Sequence, residues 1–434
     1  MRNDCAPYDV WYDILQVTVC VLFYCVQLSF AQPQNTNNLP LIIRHAEQMI
    51  GYVTDRGPIR ELQGNVQLMH GDVIISCMKA RQELTTGRAE LSGSVIITQG
   101  TLRMRMDRGE YLSLQRRAKG IGNVIIEDGA SALYAPHGEY FFDTKKAIFY
   151  DRVRAVDSGT VVLADSLAYY RETQERLAWG NVSITFTAEK MAVSGDSAYQ
   201  DVVHRYARVC GNSTLIQADT VEGDTLFLRS QCFALADSSL HGRLLVAWGK
   251  VRFLRGALSG CGDSLVMQGE NAISLYHAPV VWADSSQLTG SVIYAQLVQR
   301  RLQQLIAIGN ATLGIIEDSM STAPHQLVAE RILLRFEGDT LRYVFGSGNV
   351  KTLYLNRSDT GEPDGITRVA SDSIAITLSN GQIQRTSWYG NVQSEYVPEH
   401  LLRPEERYLR EFQWFAETKP RRDQLLTRGA ILDR

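Results

Sequence analysis

The side chains able to do chemistry are spread thinly along this 434-residue chain. His45, His70, His137, His204, His241, His277, His325 and His400 stand singly, with no pair at metal-ligand spacing, and no Gly-x-Ser-x-Gly elbow is present. Aspartate recurs in a small-acidic-small setting at Ala164-Asp165-Ser166-Leu167, Ala218-Asp219-Thr220-Val221, Gly262-Asp263-Ser264-Leu265, Ala283-Asp284-Ser285 and Ser371-Asp372-Ser373-Ile374. A calcium-binding roll would need dense Gly-Gly-x-Gly-x-Asp nonapeptides, so these acids are expected on a solvated face or in turn hydrogen bonds. Arg103, Arg105 and Arg108, with Arg116, Arg117 and Lys119, form the densest basic patch, which could meet lipid phosphates or be ordinary surface charge. A polysaccharide lyase or hydrolase on a repeat scaffold would need paired carboxylates or a mixed Arg/Lys/Asp cluster in one place. None is concentrated here, and the expectation is a non-enzymatic protein without cofactor or metal.

Four cysteines lie in the body of the chain, Cys77, Cys210, Cys232 and Cys261, and three more, Cys5, Cys20 and Cys25, near its start. The spacing excludes a C-x-x-C redox or metal motif, and an even count outside the leader permits disulfides. At most one bond is expected, Cys210 or Cys232 with Cys261, against the alternative of buried thiols.

Ile14 to Ala31 is an apolar run ending in Ser29-Phe30-Ala31, a small-x-small pattern, followed by polar residues. Residues 1–31 therefore read as a signal peptide, with an uncleaved membrane anchor as the alternative. Neither Cys20 nor Cys25 follows the small residue that a lipobox requires. Removing these residues takes away Arg2 and three aspartates and moves the formal charge from −3 to −1. A nucleic-acid binder would show a basic excess, so that partner class is excluded.

The elements that must position everything else come from a repeat. Gly64-Asn65-Val66, Gly93-Ser94-Val95, Gly122-Asn123-Val124 and Gly180-Asn181-Val182 fall on a 29-residue grid whose missing member is Asp151-Arg152-Val153. Tyr111, Tyr140 and Tyr169 keep the same step. The motif continues with looser spacing at Gly211, Gly249, Gly309, Gly348 and Gly390. Each unit alternates apolar and polar residues, as strands with one buried face must, and turn clusters such as Gln99-Gly100-Thr101 and Asp143-Thr144-Lys145-Lys146 join a strand to its return. Pro404 to Ala416 departs from this, with Tyr408, Leu409, Phe412 and Phe415 at helical spacing, and predicts a short amphipathic helix followed by a solvated basic tail.

The export signal, the 29-residue unit, the Gly-Asn-Val strands and the Ala-Asp-Ser return strands together resemble the OstA family over residues 41–397. This family includes the periplasmic lipopolysaccharide-transport proteins LptA and LptC and the N-terminal domain of LptD. The resemblance implies an all-β, elongated, repeat-built β-jellyroll with an open groove, here divided as residues 41–225 and 226–397, with a charged tail and short helix over 398–434. It implies lipopolysaccharide or lipid A held by its acyl chains and a periplasmic location, with association to the outer membrane left open. It further implies edge-strand pairing with other OstA/Lpt-like envelope proteins, or head-to-tail with itself. Val95, Ile97, Val124, Ile126, Val182, Ile184 and Phe186 are the candidate groove residues; their alternation serves a closed β-core equally well. The competing readings are an envelope scaffold that binds protein only and, behind it, the polysaccharide-active enzyme.

Overall fold

Alternating apolar and polar residues punctuated by glycine and aspartate should give antiparallel strands joined by short turns, and the chain folds that way. The structure is a computed structural model that describes residues 40–426 apart from 130, 219–224, 239–241, 270, 284–285, 299–300, 317–322, 339, 359–360 and 380. The leader predicted at 1–31 and the aspartates Asp219 and Asp284 lie outside the described residues. The described strands form one 26-stranded sheet, in which successive strands pair antiparallel. Pairing continues through the boundary drawn at 225/226, where Ala218 faces Thr225.

The strands are folded double. Val73–Glu83 has 11 residues and would span about 36 Å if straight. The turn at 113–116 lies beside that at 84–87, since the Ser113 amide donates to the Gly87 carbonyl at 2.9 Å, and so at the opposite end of this strand from Asp72. Yet the Arg116 guanidinium meets the Asp72 carboxylate at 2.6 Å. Each strand must therefore bend back near its middle, giving two arms whose free ends form two facing lips.

The bend is made by the glycine motif. Gly64 and Asn65 have φ of 79° and 45°, Gly122 and Asn123 77° and 47°, Gly180 and Asn181 76° and 46°. Two consecutive left-handed residues turn the chain sharply, and only glycine, and less readily asparagine, adopts that backbone at low cost. Pairing slips by one residue there: Gln63 faces Lys79 and Val66 faces Cys77, so Gly64 and Asn65 together oppose Met78. The motif is thus a corner inside a strand. Where the glycine is missing, Asp151 and Arg152 still hold φ of 67° and 57°.

The aspartates complete the same joint. The Asn181 amide donates to Asp165 at 2.8 Å, Asn123 to Asp107 at 2.9 Å and Asn391 to Asp372 at 3.0 Å. The small neighbours of these acids sit where the two arms converge; a Cβ on Gly195 would come within 2.7 Å of Val209.

Two expectations are corrected. The disulfide joins Cys210 to Cys232, which face one another in adjacent strands with Cα atoms 4.1 Å apart, while Cys261 lies opposite Arg252 and Val280 and stays reduced. The short α-helix near the C-terminus is Arg422–Leu425; Pro404–Ala416 is instead a 3-10 turn at Pro404–Arg407, a turn closed by the Phe412 amide on the Leu409 carbonyl at 3.0 Å, and irregular chain up to a second 3-10 turn at Ala416–Thr418. Two buried glutamines hold the chain on either side of the middle turn. Gln326 donates to the Arg407 carbonyl at 2.8 Å and accepts from the Leu409 amide at 2.8 Å. Gln287 does the same with Gln413, 2.7 Å, and Phe415, 2.6 Å. Each reads residues two apart, as a neighbouring strand would, and a helix could not present those groups. Arg421 and Arg422 are exposed, as expected of a solvated basic run, and the Arg422 guanidinium lies over the Phe227 ring at 5.1 Å.

Gly180→Ala puts a Cβ 2.4 Å from the Asp165 carboxylate and 2.8 Å from its Cβ, whereas Gly129→Ala, at φ 62°, meets nothing within 4 Å. The Gly129 variant is expected to lose the backbone cost alone, about 1–2 kcal/mol. The Gly180 variant should lose about 1–3 kcal/mol more from overlap. Urea denaturation of both measures the difference; equal losses would show that the corner tolerates the added atom.

Candidate functional site

The interior between the arms decides what the fold can hold. Val95, Ile97, Val124, Ile126, Val182 and Ile184 come together as one layer of it, each at most 3% exposed, and Phe186 lies half-buried opposite Met191 at the end of its strand. In this half the layer is sealed. Facing it are Tyr111, Tyr140 and Tyr169, also buried. These rings fit because their strand neighbours are small: Tyr111 lies between Ala89 and Ala118, Tyr140 between Ala118 and Ala147. Tyr111, Phe142 and Tyr140 then pack edge to face at 5.9 and 4.9 Å between centroids. The Tyr111 hydroxyl meets His70 Nδ1 at 2.7 Å. Burial pushes the Tyr111 phenol above its ordinary range and that of Tyr140 up to about 12, so both remain neutral.

In front of the tyrosines a row of arginines crosses from one lip to the other. Arg116 is 4% exposed and bonds Asp72 across the slit and Asp143 beside it, each at 2.6 Å. Arg171 bonds Asp128 at 2.7 Å and Thr101 at 2.7 Å. Arg176 bonds Asp157 at 2.8 Å and Ser131 at 3.1 Å. Burial raises the Asp72 carboxyl, but hydrogen bonds from Gln99 and Arg116 and the Arg116 charge outweigh it and hold the group below the usual range. Asp157 is held low in the same way, by Arg176 against burial.

Beyond Arg176 the plan changes. The alanine track 89, 118, 147 ends in arginine at 176, and the tyrosine track 111, 140, 169 ends in Ala198. With the large rings gone the arms part around a cavity of about 480 Å³, within the usual range for small-molecule sites. Half-buried Leu226 lines it from one arm and half-buried Leu235 and Met267 from the other, with buried Met191, Leu215 and Leu245 at its floor. Its rim carries Arg205, Arg243 and Arg255 with Asp237. Arg205 bonds Asp237 at 2.5 Å, and Arg243 reaches across the slit to Glu189 at 2.9 Å. The result is an apolar trough with a charged, nearly balanced mouth, suited to an amphiphile whose tail enters and whose head stays at the rim.

Sequence reasoning named the layer that seals the first half and missed the residues that line the opening. The signal was available: the points where the two 29-residue tracks lose alanine and tyrosine mark where the slit opens. The basic patch is not one surface. Arg105 pairs with Glu127, Arg117 with Glu139, and Arg116 belongs to the slit. Among the described residues no three of His, Cys, Asp or Glu gather at a point.

No protein-family model and no curated protein sequence matches the chain. Among solved structures, LptH, described as the LptA-homologous periplasmic component of the lipopolysaccharide transport device of Pseudomonas aeruginosa, matches with 16% sequence identity. The match covers 25% of this chain and 82% of that one, with a TM-score of 0.24.

Arg116→Ala should cost about 1.5–3 kcal/mol at neutral pH, the range for hydrogen bonds to charged groups. The sign follows from the depressed Asp72 carboxyl: its contribution is whole above the unfolded value of 3.8 and is lost as pH falls through the lower folded value. Urea denaturation of wild type and variant should therefore differ at pH 7 and converge as pH falls through the lowered Asp72 value. A gap that persists in acid would mean that Arg116 acts by packing alone.

Proposed function

We propose that the protein binds the acyl chains of a lipopolysaccharide-class lipid in the trough between its arms and carries or bridges that lipid in the bacterial periplasm, as a binding protein with no reaction of its own. The observation that carries this reading is the apolar cavity that opens where the tyrosine track ends. Each buried methylene contributes about 0.8 kcal/mol, so a chain of about a dozen carbons gains on the order of 10 kcal/mol gross from a trough of this kind. The family likeness of the 29-residue repeat supports the same reading.

Bridging is supported by the two ends of the sheet. At one end Gln48–Thr54 is an edge strand with Met49 60% and Val53 81% exposed. At the other, Gln382–Tyr389 and Gln393–Pro398 pair on one side only among the described residues, with Tyr389 and Tyr396 exposed. Unpaired edges of this length accept a further strand, from another protein of the same build or a second copy. The scaffold reading keeps one specific support, the sealed first half.

A photo-crosslinking amino acid in place of Leu245, in protein matured in a bacterial periplasm, is expected to form lipid adducts detectable by mass spectrometry. The same group in place of Val124, in the sealed half, should form none. Folded protein with no adduct at Leu245 would leave the scaffold reading.

A further inference from the structure

The outer surface of the sheet carries a feature that the trough alone does not use. After the last strand the chain returns across the outside of one arm. The Arg368 guanidinium donates to the Glu406 carbonyl at 2.9 Å, Gln326 and Gln287 bracket residues 407–415, and Lys351 pairs with Glu411. Gly314 lies under Trp414 and Phe412, where a Cβ would come within 2.6 and 2.8 Å of the rings, so its lack of a side chain lets the returning segment lie flat. Gln287 is fully buried and Gln326 2% exposed. A buried amide without partners is costly, and both are satisfied on this face by the returning backbone.

The segment ends on the strands that form the trough. Leu425 is fully buried against Ile216 and Phe227, with Leu254 packed beside them. Arg229 donates to the Gln424 carbonyl at 2.8 Å. Alternation along a strand puts neighbouring residues on opposite faces. Gln217, Leu226 and Arg255, each next to one of these contact residues, line the trough from within. One layer of sheet therefore separates the anchor from the cavity, at the lip where no tyrosine track ties the two arms together. At this lip the arms are tied across the slit by the Arg243–Glu189 pair, and the anchor covers the outer face of one of them.

We propose that the C-terminal segment is a brace that sets the width of the slit, so that seating or release of Leu425 governs entry and exit of the lipid. The inference rests on the proposed function and adds its regulation. In the assembled protein, a partner that pulled on the C-terminus would open the trough without touching it.

The test uses the full chain carrying Leu425→Asp and, separately, the double variant Gln287→Ala, Gln326→Ala, which loosens the segment far from the trough. The probe is a fluorescent long-chain fatty acid, with circular dichroism confirming the fold. Both variants are expected to release the probe roughly tenfold faster than wild type, the size set by losing one buried leucine contact. Amide hydrogen exchange should rise at 213–217 and 225–229 and stay unchanged at 95–97 and 124–126. Unchanged release and unchanged exchange at that lip, with the tail itself freed, would overturn the brace while leaving the function standing. If no form binds the probe, the function falls and the gate with it.

Discussion

The long strands of this sheet have to turn a corner in mid-length without losing their hydrogen-bond ladder, and the rest of the architecture follows from how that is done. A left-handed pair such as Gly180-Asn181 bends the chain and costs one residue of register. The neighbouring strand answers with an acid that takes up the asparagine amide, as Asp165 does at 2.8 Å. Because the pair recurs in alternate strands, with the acid on the strand between, the corners stack into a spine, and the two arms it joins are forced to face one another. A core between facing arms of one sheet then needs no second sheet.

What lies between the arms is set by residues far from the spine. Alanine on one strand makes room for tyrosine on the next, as with Ala118 between Tyr111 and Tyr140, and the rings fill the gap up to the lips. There the arginines take over. Arg116, Arg171 and Arg176 each satisfy a carboxylate from the opposite lip, and Arg116 and Arg176 are almost wholly buried while doing so. Such pairs contribute little net stability compared with apolar groups of the same size, but they fix which turn meets which. In a sheet of near-identical repeats, where one-step slips are close alternatives, that selection of register has its own value.

The repeat, the strand period and the turns could be read directly because period-two alternation and glycine spacing are local properties. The corner could not. Leu62 and Val66, Leu91 and Val95, and Ala178 and Val182 all face inward on either side of it, so the apolar pattern runs through the bend unbroken. A Gly-Asn pair looks the same in sequence whether it joins two strands or folds one. The disulfide was equally hidden, since the direct pairing of Cys210 with Cys232 depends on the register slip at Gly211. The segment after Pro404 has helical spacing of its large residues, and that local preference is overridden by two buried glutamines 81 and 126 positions before the carbonyls they bond, whose amides need locally extended partners. The alternation puts the candidate groove residues on the inward face; whether that face is sealed turns on a different set of side chains on the opposing arm.

This division of labour bears on how the trough can exist at all. Apolar side chains that open onto a cavity give up part of the contacts that pack a core, and a fold that left its whole length in that state would forfeit much of what stabilises it. Here the loss is confined to the stretch beyond Arg176, while the strands before it are closed by rings and ion pairs. The disulfide between Cys210 and Cys232 sits beside the corner of the open stretch, and the returning C-terminal segment covers its outer face. Both act on the corner and the outer face and leave the inner walls free. An apolar surface kept open in this way, with its supports placed on every side except the one that faces the cavity, is what a site needs if its occupant is to be taken up and given back.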